Sequence, residues 1–541
     1  MIRLENLSFS YWIKGKELPV FRSLKADFKA GSITAIVGRS GCGKTSLLRI
    51  LAGLSPASGG SLSFDSQKGS GQPPRRSIIF QDYGLLPWAT AGKNAELGLK
   101  IQGVPRAERR NRVDPILSEL GLEKFSPFFP SRLSGGMRQR VAIARALALE
   151  SDILLLDEPF SSLDALSREY LQDSLLETHA RHGTTIILVT HSIEEAAYLA
   201  DRIYIMEGKN PSTLSEPFAT SKAKLKGFPP KAESPKPGDS HKDSYRDSEA
   251  YHSDIKVLRE RFFSERQPEP FGAAMVKRRP ALERLSAMAR AAKPFLDRLG
   301  KLCLALAAVF ALWEALALLL DAPFLPRPGK ALERFFSGLG DGILFRHAGA
   351  SLKRILASLC LAGPPAWALG LLAGRIQLAD TLASPLVYLF HPLPKVAFLP
   401  LLMLLFGLGD ASKVALMGLV VFGQLFVGAR DSAKAIAPSL LDTVKSLGGG
   451  RAATLRHAIL PATLPALISS LRISLGTTIA VLFLSETFAS INGLGWYIMD
   501  SWSRVDYPDM YASIMMLSAL GLGLYIALDV AEAILLRWRD P

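Results

Sequence analysis

The chain has 541 residues, more than one domain needs, with 48% hydrophobic residues, 21% charged residues and a formal net charge of +15. Three cysteines (Cys42, Cys303 and Cys360), one in a glycine-rich loop and two in apolar runs, imply no disulfide framework. Composition is uneven: residues 1–210 look soluble, a polar Pro- and Lys-rich stretch follows, and long apolar runs begin at 302, so the basic balance alone does not argue for a nucleic-acid partner.

The opening MIRLENLSFSY is charged and strand-like rather than a secretory signal, so the first domain is expected in the cytosol. Tyr11 precedes the first motif by about a strand and a turn; its ring can stack on a base or half-bury in a strand, and the motifs that follow favour stacking. SITAIV (32–37) is apolar and β-rich, and GRSGCGKT (38–45) comes directly after it. Phosphates need backbone N–H groups with no side chain in the way, which is the use of Gly38, Gly41 and Gly43, with Arg39, Ser40 and Cys42 between them. Lys44 can reach the β- and γ-phosphates, the Thr45 hydroxyl can ligate Mg²⁺, and Ser46 completes the phosphate-binding set. TSLLRILAG (45–53) has helical spacing, so the phosphates would lie at a helix N-terminus.

IIFQDYGLLPW (78–88) reads as a strand ending near Gln81 and then a turn. Gln81 can touch both Mg²⁺ and an attacking water, or be a solvated loop residue. LSGGMRQR (133–140) opens a helix on two glycines and offers the Ser134 hydroxyl and the N–H groups of Gly135 and Gly136 to a γ-phosphate. Because Gly43 and Lys44 already hold phosphates, this second edge makes sense facing the nucleotide of another copy. DILLL (152–156) delivers Asp157 to Mg²⁺ and Glu158 beside it to polarise water, two separate roles that in-line hydrolysis requires. SSLD (161–164) is a tight turn ending at Asp164, and TTIILVT (184–190) is a buried strand leading to His191, placed to sense a γ-phosphate.

In this order the motifs resemble the nucleotide-binding domain of ABC transporters, an α/β P-loop fold covering residues 1–210. The resemblance implies ATP and Mg²⁺ as cofactors and a head-to-tail sandwich in which Ser134, Gly135 and Gly136 of one copy close over Lys44 of the other. It also implies Glu158 as general base, His191 as its partner, and Asp164 within the nucleotide-binding set. More narrowly, FQDYGLLPW (80–88) is similar to the ATPases of nitrate, sulfonate and taurine importers.

From 211 to 297 the composition is Ser, Pro, Lys, Glu and Asp with few large apolar residues, which predicts a flexible linker. DIKVLRERFFSE (254–265) can form a short amphipathic helix within it. The basic cluster Lys277, Arg278, Arg279, Arg284, Arg290, Lys293, Arg298 and Lys301 runs straight into an apolar span, a placement suited to anionic membrane lipid on the cytosolic side.

The remaining segment, 298–541, predicts an all-α membrane domain with six spans at about 302–320, 355–374, 381–407 (broken near HPLP, 391–394), 412–429, 463–488 and 510–536. Six spans return the C-terminus to the cytosol, with Arg537, Trp538 and Arg539 at the interface. This topology puts 321–354 outside although it carries Arg327, Lys330, Arg334, Arg346, Lys353 and Arg354, against the positive-inside rule; the cytosolic ATPase decides the orientation. Glu314 and Glu486 lie at membrane depth, where an acid is costly enough to suggest a functional role, and helix–helix hydrogen bonding or interfacial placement is the favoured alternative.

Residues 430–461 are polar and basic, and Gly448 followed by Leu460-Pro461 resembles the coupling loop of binding-protein-dependent ABC importer permeases, with Asp442-Thr443-Val444 where the family has Glu-Ala-Ala. FLPRPGKAL (324–332), PLPKVAFLPLLMLLFGLGDASK (392–413) and GLG (493–495) are similar to the nitrate/sulfonate/taurine permeases. The resemblance implies a multi-pass homodimer in the cytoplasmic membrane that imports a small solute received from a separate extracytoplasmic binding protein. A pyrimidine-type vitamin precursor is the alternative solute. An ATP-driven signalling device is the alternative function, disfavoured because no external loop is long enough for a sensory domain.

Overall fold

A computed structural model describes residues 1–13, 16–64, 74–161, 165–208, 211–221, 243–246, 248–263, 304, 306–390 and 393–539. It divides into two units, one formed by Met1–Pro268, Ile436–Ala462 and Arg537–Pro541, the other by Glu269–Ala435 and Thr463–Leu536.

The first unit is built on two sheets. β1 (Ile2–Ile13) pairs antiparallel with β2 (Lys16–Phe28) on one side and β4 (Gly59–Phe64) on the other. The larger sheet contains β3 (Ile33–Gly38), β5 (Arg76–Ile79), β6 (Ile153–Asp157), β7 (Thr185–Thr190) and β8 (Arg202–Glu207), all parallel, in the order β8-β3-β7-β6-β5. β3, β6 and β7 are buried along their whole length, which is why they read as unbroken apolar runs rather than as alternating ones. Register aligns their carboxyl ends: Val37 faces Thr190, and Asp157 faces Val189. That alignment gathers the ends of three motif-bearing strands at one crevice, where α/β sheets bind ligands.

The unit continues beyond residue 210, the boundary expected from composition. Thr213–Leu214 and Phe218–Ala219 add to β8, and the helices Asp243–Arg246 and Glu249–Phe263 pack on the ATPase core through Tyr245 and Leu258 respectively. Arg246 stacks over the Tyr198 ring at 4.0 Å, and its Nη1 lies 3.2 Å from Glu169. The amphipathic helix expected at 254–265 is present and starts five residues earlier, while low average hydropathy hid its docking on the ATPase. The remainder of the expected linker, including Lys277–Lys301, lies outside the described residues.

Among the described residues, four helices are long and apolar enough to cross a membrane: Ile343–Arg375, Asp410–Lys434, Arg451–Glu486 (whose first turns belong to the ATPase unit) and Tyr507–Leu535. They contain four of the six expected spans. The other two are shorter: Leu306–Leu320 has 15 residues, and the 381–407 region is broken into Gln377–Phe390 and Lys395–Phe406. Pro392 and Pro394 fall between these two pieces, where they interrupt the run. Two long helices pack backbone to backbone. A Cβ on Gly370 would stand 2.5 Å from the carbonyl oxygen of Phe426, and one on Gly374 2.5 Å from that of Arg430, so only small residues fit this crossing.

Glu486 is fully buried and makes the helix–helix contacts expected of an acid at this depth. Arg354 Nη1 donates to it at 2.5 Å, Ser351 Oγ at 2.9 Å and the Gly495 N–H at 2.8 Å. Arg354 also donates to Asp410 at 2.8 Å. Two of the basic residues that broke the positive-inside pattern are thus neutralised by partners, Arg354 here and Arg334 by Asp509 at 3.5 Å. Glu314 is half-buried.

Candidate functional site

The phosphate loop folds as its glycines require. Gly41 and Gly43 have φ of +84° and +100°, and a Cβ on Gly38 would come within 2.8 Å of both Cys42 Sγ and the Met206 carbonyl. Arg39, Ser40 and Gly41 are exposed along the loop. Cys42 is buried beneath it, and burial pushes its thiol pKa up. The helix Lys44–Leu51 begins at once, so its unpaired N–H groups and positive end face the crevice. Lys44 Nζ donates to the carbonyls of Gly38 (2.7 Å) and Arg39 (2.8 Å), holding a cation inside the loop. Tyr11 OH and Ser46 Oγ share a hydrogen bond of 3.1 Å, and the half-exposed Tyr11 ring meets Phe9 edge-on at 4.9 Å. This puts an aromatic face beside the loop.

The acidic pair lies at the end of β6. Thr45 Oγ1 donates to Asp157 Oδ1 at 3.2 Å. Asp157 is buried, and desolvation raises its pKa above the ordinary 3.8 despite the Thr45 hydrogen bond; nearby Glu158 adds to the rise. Glu158 occupies φ +45°, a region costly for a residue with a Cβ, and its N–H donates to the Val189 carbonyl of the neighbouring strand at 2.9 Å. Its Oε2 lies 3.4 Å from Gln81 Nε2 and 3.2 Å from His191 Nδ1. Oxygen donors on Thr45, Asp157 and Gln81 suit a small hard cation, and Glu158 with His191 can accept and pass a proton.

His191 stands on an ordered base. The Thr190 hydroxyl donates to buried Glu195 at 2.6 Å and accepts from the Ser192 N–H at 3.1 Å, while Ser192 Oγ caps the next helix by accepting from the Glu195 N–H. Burial raises the Glu195 pKa. Ser134 caps the helix Gly135–Ala148 in the same way, accepting from the Met137 N–H at 3.3 Å. Among the described residues no hydrogen bond joins Ser134, Gly135 or Gly136 to the phosphate loop of the same chain, and a Cβ on Gly135 would meet only open space. Asp164 lies outside the described residues.

The segment Ile436–Ala462, which belongs to this unit, lies against the loop after Gln81. Its helix Pro438–Ser446 sets Asp442 2.7 Å from Arg49 Nη2, an ion pair without hydrogen-bond geometry. Gly84 approaches Thr443 so closely that a Cβ there would collide with Thr443 Oγ1. Trp88 Nε1 donates to the His457 carbonyl at 2.9 Å. Gly448, at φ +84°, ends the turn after this helix, and Leu460-Pro461 start the helix Leu460–Glu486 after one π-type turn. Arg49, Gly84, Trp88 and Arg145 were not anticipated from sequence as contact residues. FQDYGLLPW held the only signal, since Gly and Trp are unusual in an otherwise apolar strand exit.

A P-loop ATPase carrying its own docked segment from a helical membrane protein is the class this geometry defines. The sequence matches the family model described as ABC transporter over residues 21–161, and that described as binding-protein-dependent transport system inner membrane component over residues 366–540. A putative ATP-binding protein of Brucella abortus is 45% identical over 186 residues, 34% of this chain and 72% of that protein. The taurine import ATP-binding protein of Pseudomonas aeruginosa is 41% identical over 204 residues, covering 38% of this chain and 78% of its own length. The nitrate import ATP-binding protein of a Synechocystis strain is 38% identical over 213 residues, 39% and 80% of the two chains. The chain belongs to the ABC transporter family, joining the ATP-hydrolysing cassette and an importer-type permease in one integral membrane protein.

Proposed function

We propose that this transporter works as a homodimer in the cytoplasmic membrane and imports a small anion of the nitrate, sulfonate or taurine type, delivered by a separate extracytoplasmic binding protein. The observation that carries the reading is the seating of Thr443 and His457, which lie between two apolar helices, on the loop that begins at Gln81, with Asp442 beside them on Arg49 of the phosphate-loop helix. Movement of the permease helices is thereby linked to a residue beside the reacting water. The taurine and nitrate import relatives support the class of solute.

Tyr11 stacks on the adenine, and the N–H groups of residues 38–46 with Lys44 hold the phosphates. Ser134, Gly135 and Gly136 close on the nucleotide of the second copy, with Asp164 in the same nucleotide-binding set. Glu158 takes the proton of the attacking water while His191 and Gln81 fix its carboxylate. Thr45, Asp157 and Gln81 would hold Mg²⁺, which neutralises charge on the β- and γ-phosphates when bound. The ATPase and the C-terminus face the cytosol.

The test is uptake of labelled taurine, an alkanesulfonate, nitrate and a pyrimidine precursor in cells carrying the wild-type or Glu158→Gln protein. Uptake of one anion should fall by about 10²-fold or more in the variant. Uptake of the pyrimidine alone would move the solute to the other class, and no dependence on Glu158 for any solute would overturn import.

A further inference from the structure

The loop after Gln81 has an uncommon backbone. Tyr83 and Gly84 are consecutive left-handed residues, with φ of +65° and +54°. A tyrosine in that region is strained and persists only where its surroundings hold it. Three groups hold this turn. The Gly84 N–H donates to Asp82 Oδ1 at 3.2 Å, its Cα faces Thr443, and its carbonyl accepts from Arg145 Nη1 at 2.7 Å. Arg145 Nη2 donates to the Tyr83 carbonyl at 2.8 Å, so one guanidinium forks across both carbonyls of the left-handed pair.

Arg145 is 2% exposed and is among the largest fully buried side chains of the chain. Burial lowers its pKa to about 10, with Asp82 opposing the shift. A buried cation committed to main-chain carbonyls is a costly way to fill a core position, and apolar packing already joins the same elements through Leu85, Leu86, Val141 and Ala142. Apolar contact is non-directional and permits sliding. A two-pronged charged hydrogen bond fixes register.

Arg145 lies on the helix Gly135–Ala148, about 15 Å along its axis from the Gly135 end. That end carries Gly135 and Gly136, which close on the second copy's nucleotide in the proposed function. We propose that Arg145 is a positioning residue that locks this helix to the Tyr83–Gly84 turn, so that closure on the partner's nucleotide is transmitted through Gly84 to Thr443 and the helix Pro438–Ser446. This rests on the reading of 430–461 as the coupling segment. Arg145 touches neither nucleotide nor water; it works through the turn.

The experiment is hydrogen exchange on the full-length chain in lipid nanodiscs, with and without MgATP and vanadate. It compares wild type, Arg145→Met and Arg145→Lys, the last keeping a buried charge while losing the fork. In the wild type, trapping should change exchange over both 135–148 and 438–446. In both variants the change over 135–148 should persist, and that over 438–446 should shrink at least threefold; either variant alone suffices if the other does not fold. A purely structural role would lower the melting temperature and damp both segments together, which overturns the proposal, as does an undiminished response at 438–446. A wild-type chain that responds at 135–148 but not at 438–446 overturns the coupling reading itself, and Arg145 with it.

Discussion

Asp157 and Glu158 are neighbours in sequence with different physics. Asp157 is buried between Thr45 and the strand ends, so the folded chain resists charging it, whereas Glu158 turns outward to Gln81 and His191. Because the folded pKa of Asp157 lies above its unfolded value, its contribution to stability is complete below the ordinary 3.8 and is lost as pH rises through the raised value. In metal-free buffer the melting temperature of Asp157→Asn should therefore gain on wild type as pH climbs through that interval, and saturating Mg²⁺ should close the gap by favouring the charged carboxylate. A pH-independent difference between the two proteins would contradict this. Both acids were legible in sequence because a strand delivers them at a fixed distance from the phosphate loop. Arg145 and Arg49 were not: within AIARALAL and LLRIL an arginine reads as a solvated helix face, and only the folded chain shows which carbonyl or carboxylate it meets.

Among the elements, the helix Pro438–Ser446 is held to the ATPase by the Asp442–Arg49 ion pair, the close approach of Gly84 to Thr443 and the apolar packing of Leu440. Asp442 is nearly buried and Arg49 partly so, with side-chain exposures of 6% and 28%. Arg49→Met leaves a carboxylate with little water to replace its partner, and should cost about 1–3 kcal/mol, between exposed and buried pairs. Combining it with Asp442→Leu should recover most of that loss. Thermal unfolding of the two single variants and the double variant measures the coupling; strictly additive losses would show that the pair contributes nothing. The existence of this segment was readable from Gly448 and Leu460-Pro461, but its docking face was not, because Asp442 departs from the family's glutamate. The helix Glu249–Phe263 was legible over 254–265, but its docking on the ATPase was not. Its apolar stripe is diluted by charges that find partners on the ATPase, as Arg259 does with Glu194 at 2.7 Å.

At the scale of the molecule, Ser134, Gly135 and Gly136 present a helix start with open space before it and no bond to the phosphate loop of their own chain among the described residues. A second copy completes the site in the proposed arrangement. Purified protein should have twice the 58.7 kDa chain mass after subtraction of lipid and detergent, and Glu158→Gln with ATP should resist dissociation by dilution more than wild type does. Light scattering with differential refractometry reads both, and a monomer with full ATPase activity would exclude the arrangement. The two halves were legible because hydropathy separates them sharply. The number of long helices was not, because prolines divide one apolar run into pieces that composition counts as a single span.

The path of the chain has a consequence for biogenesis. The ATPase unit is begun at the N-terminus but includes Ile436–Ala462, so it waits for several membrane helices to be synthesised before that segment arrives. Gly84 and Trp88 find Thr443 and His457 only after that delay, which makes this a long-range pairing and a late event in folding. Correct insertion of the permease is in this way reported to the enzyme that will drive it, and a chain stalled or misthreaded in the bilayer carries an ATPase that cannot finish its own surface.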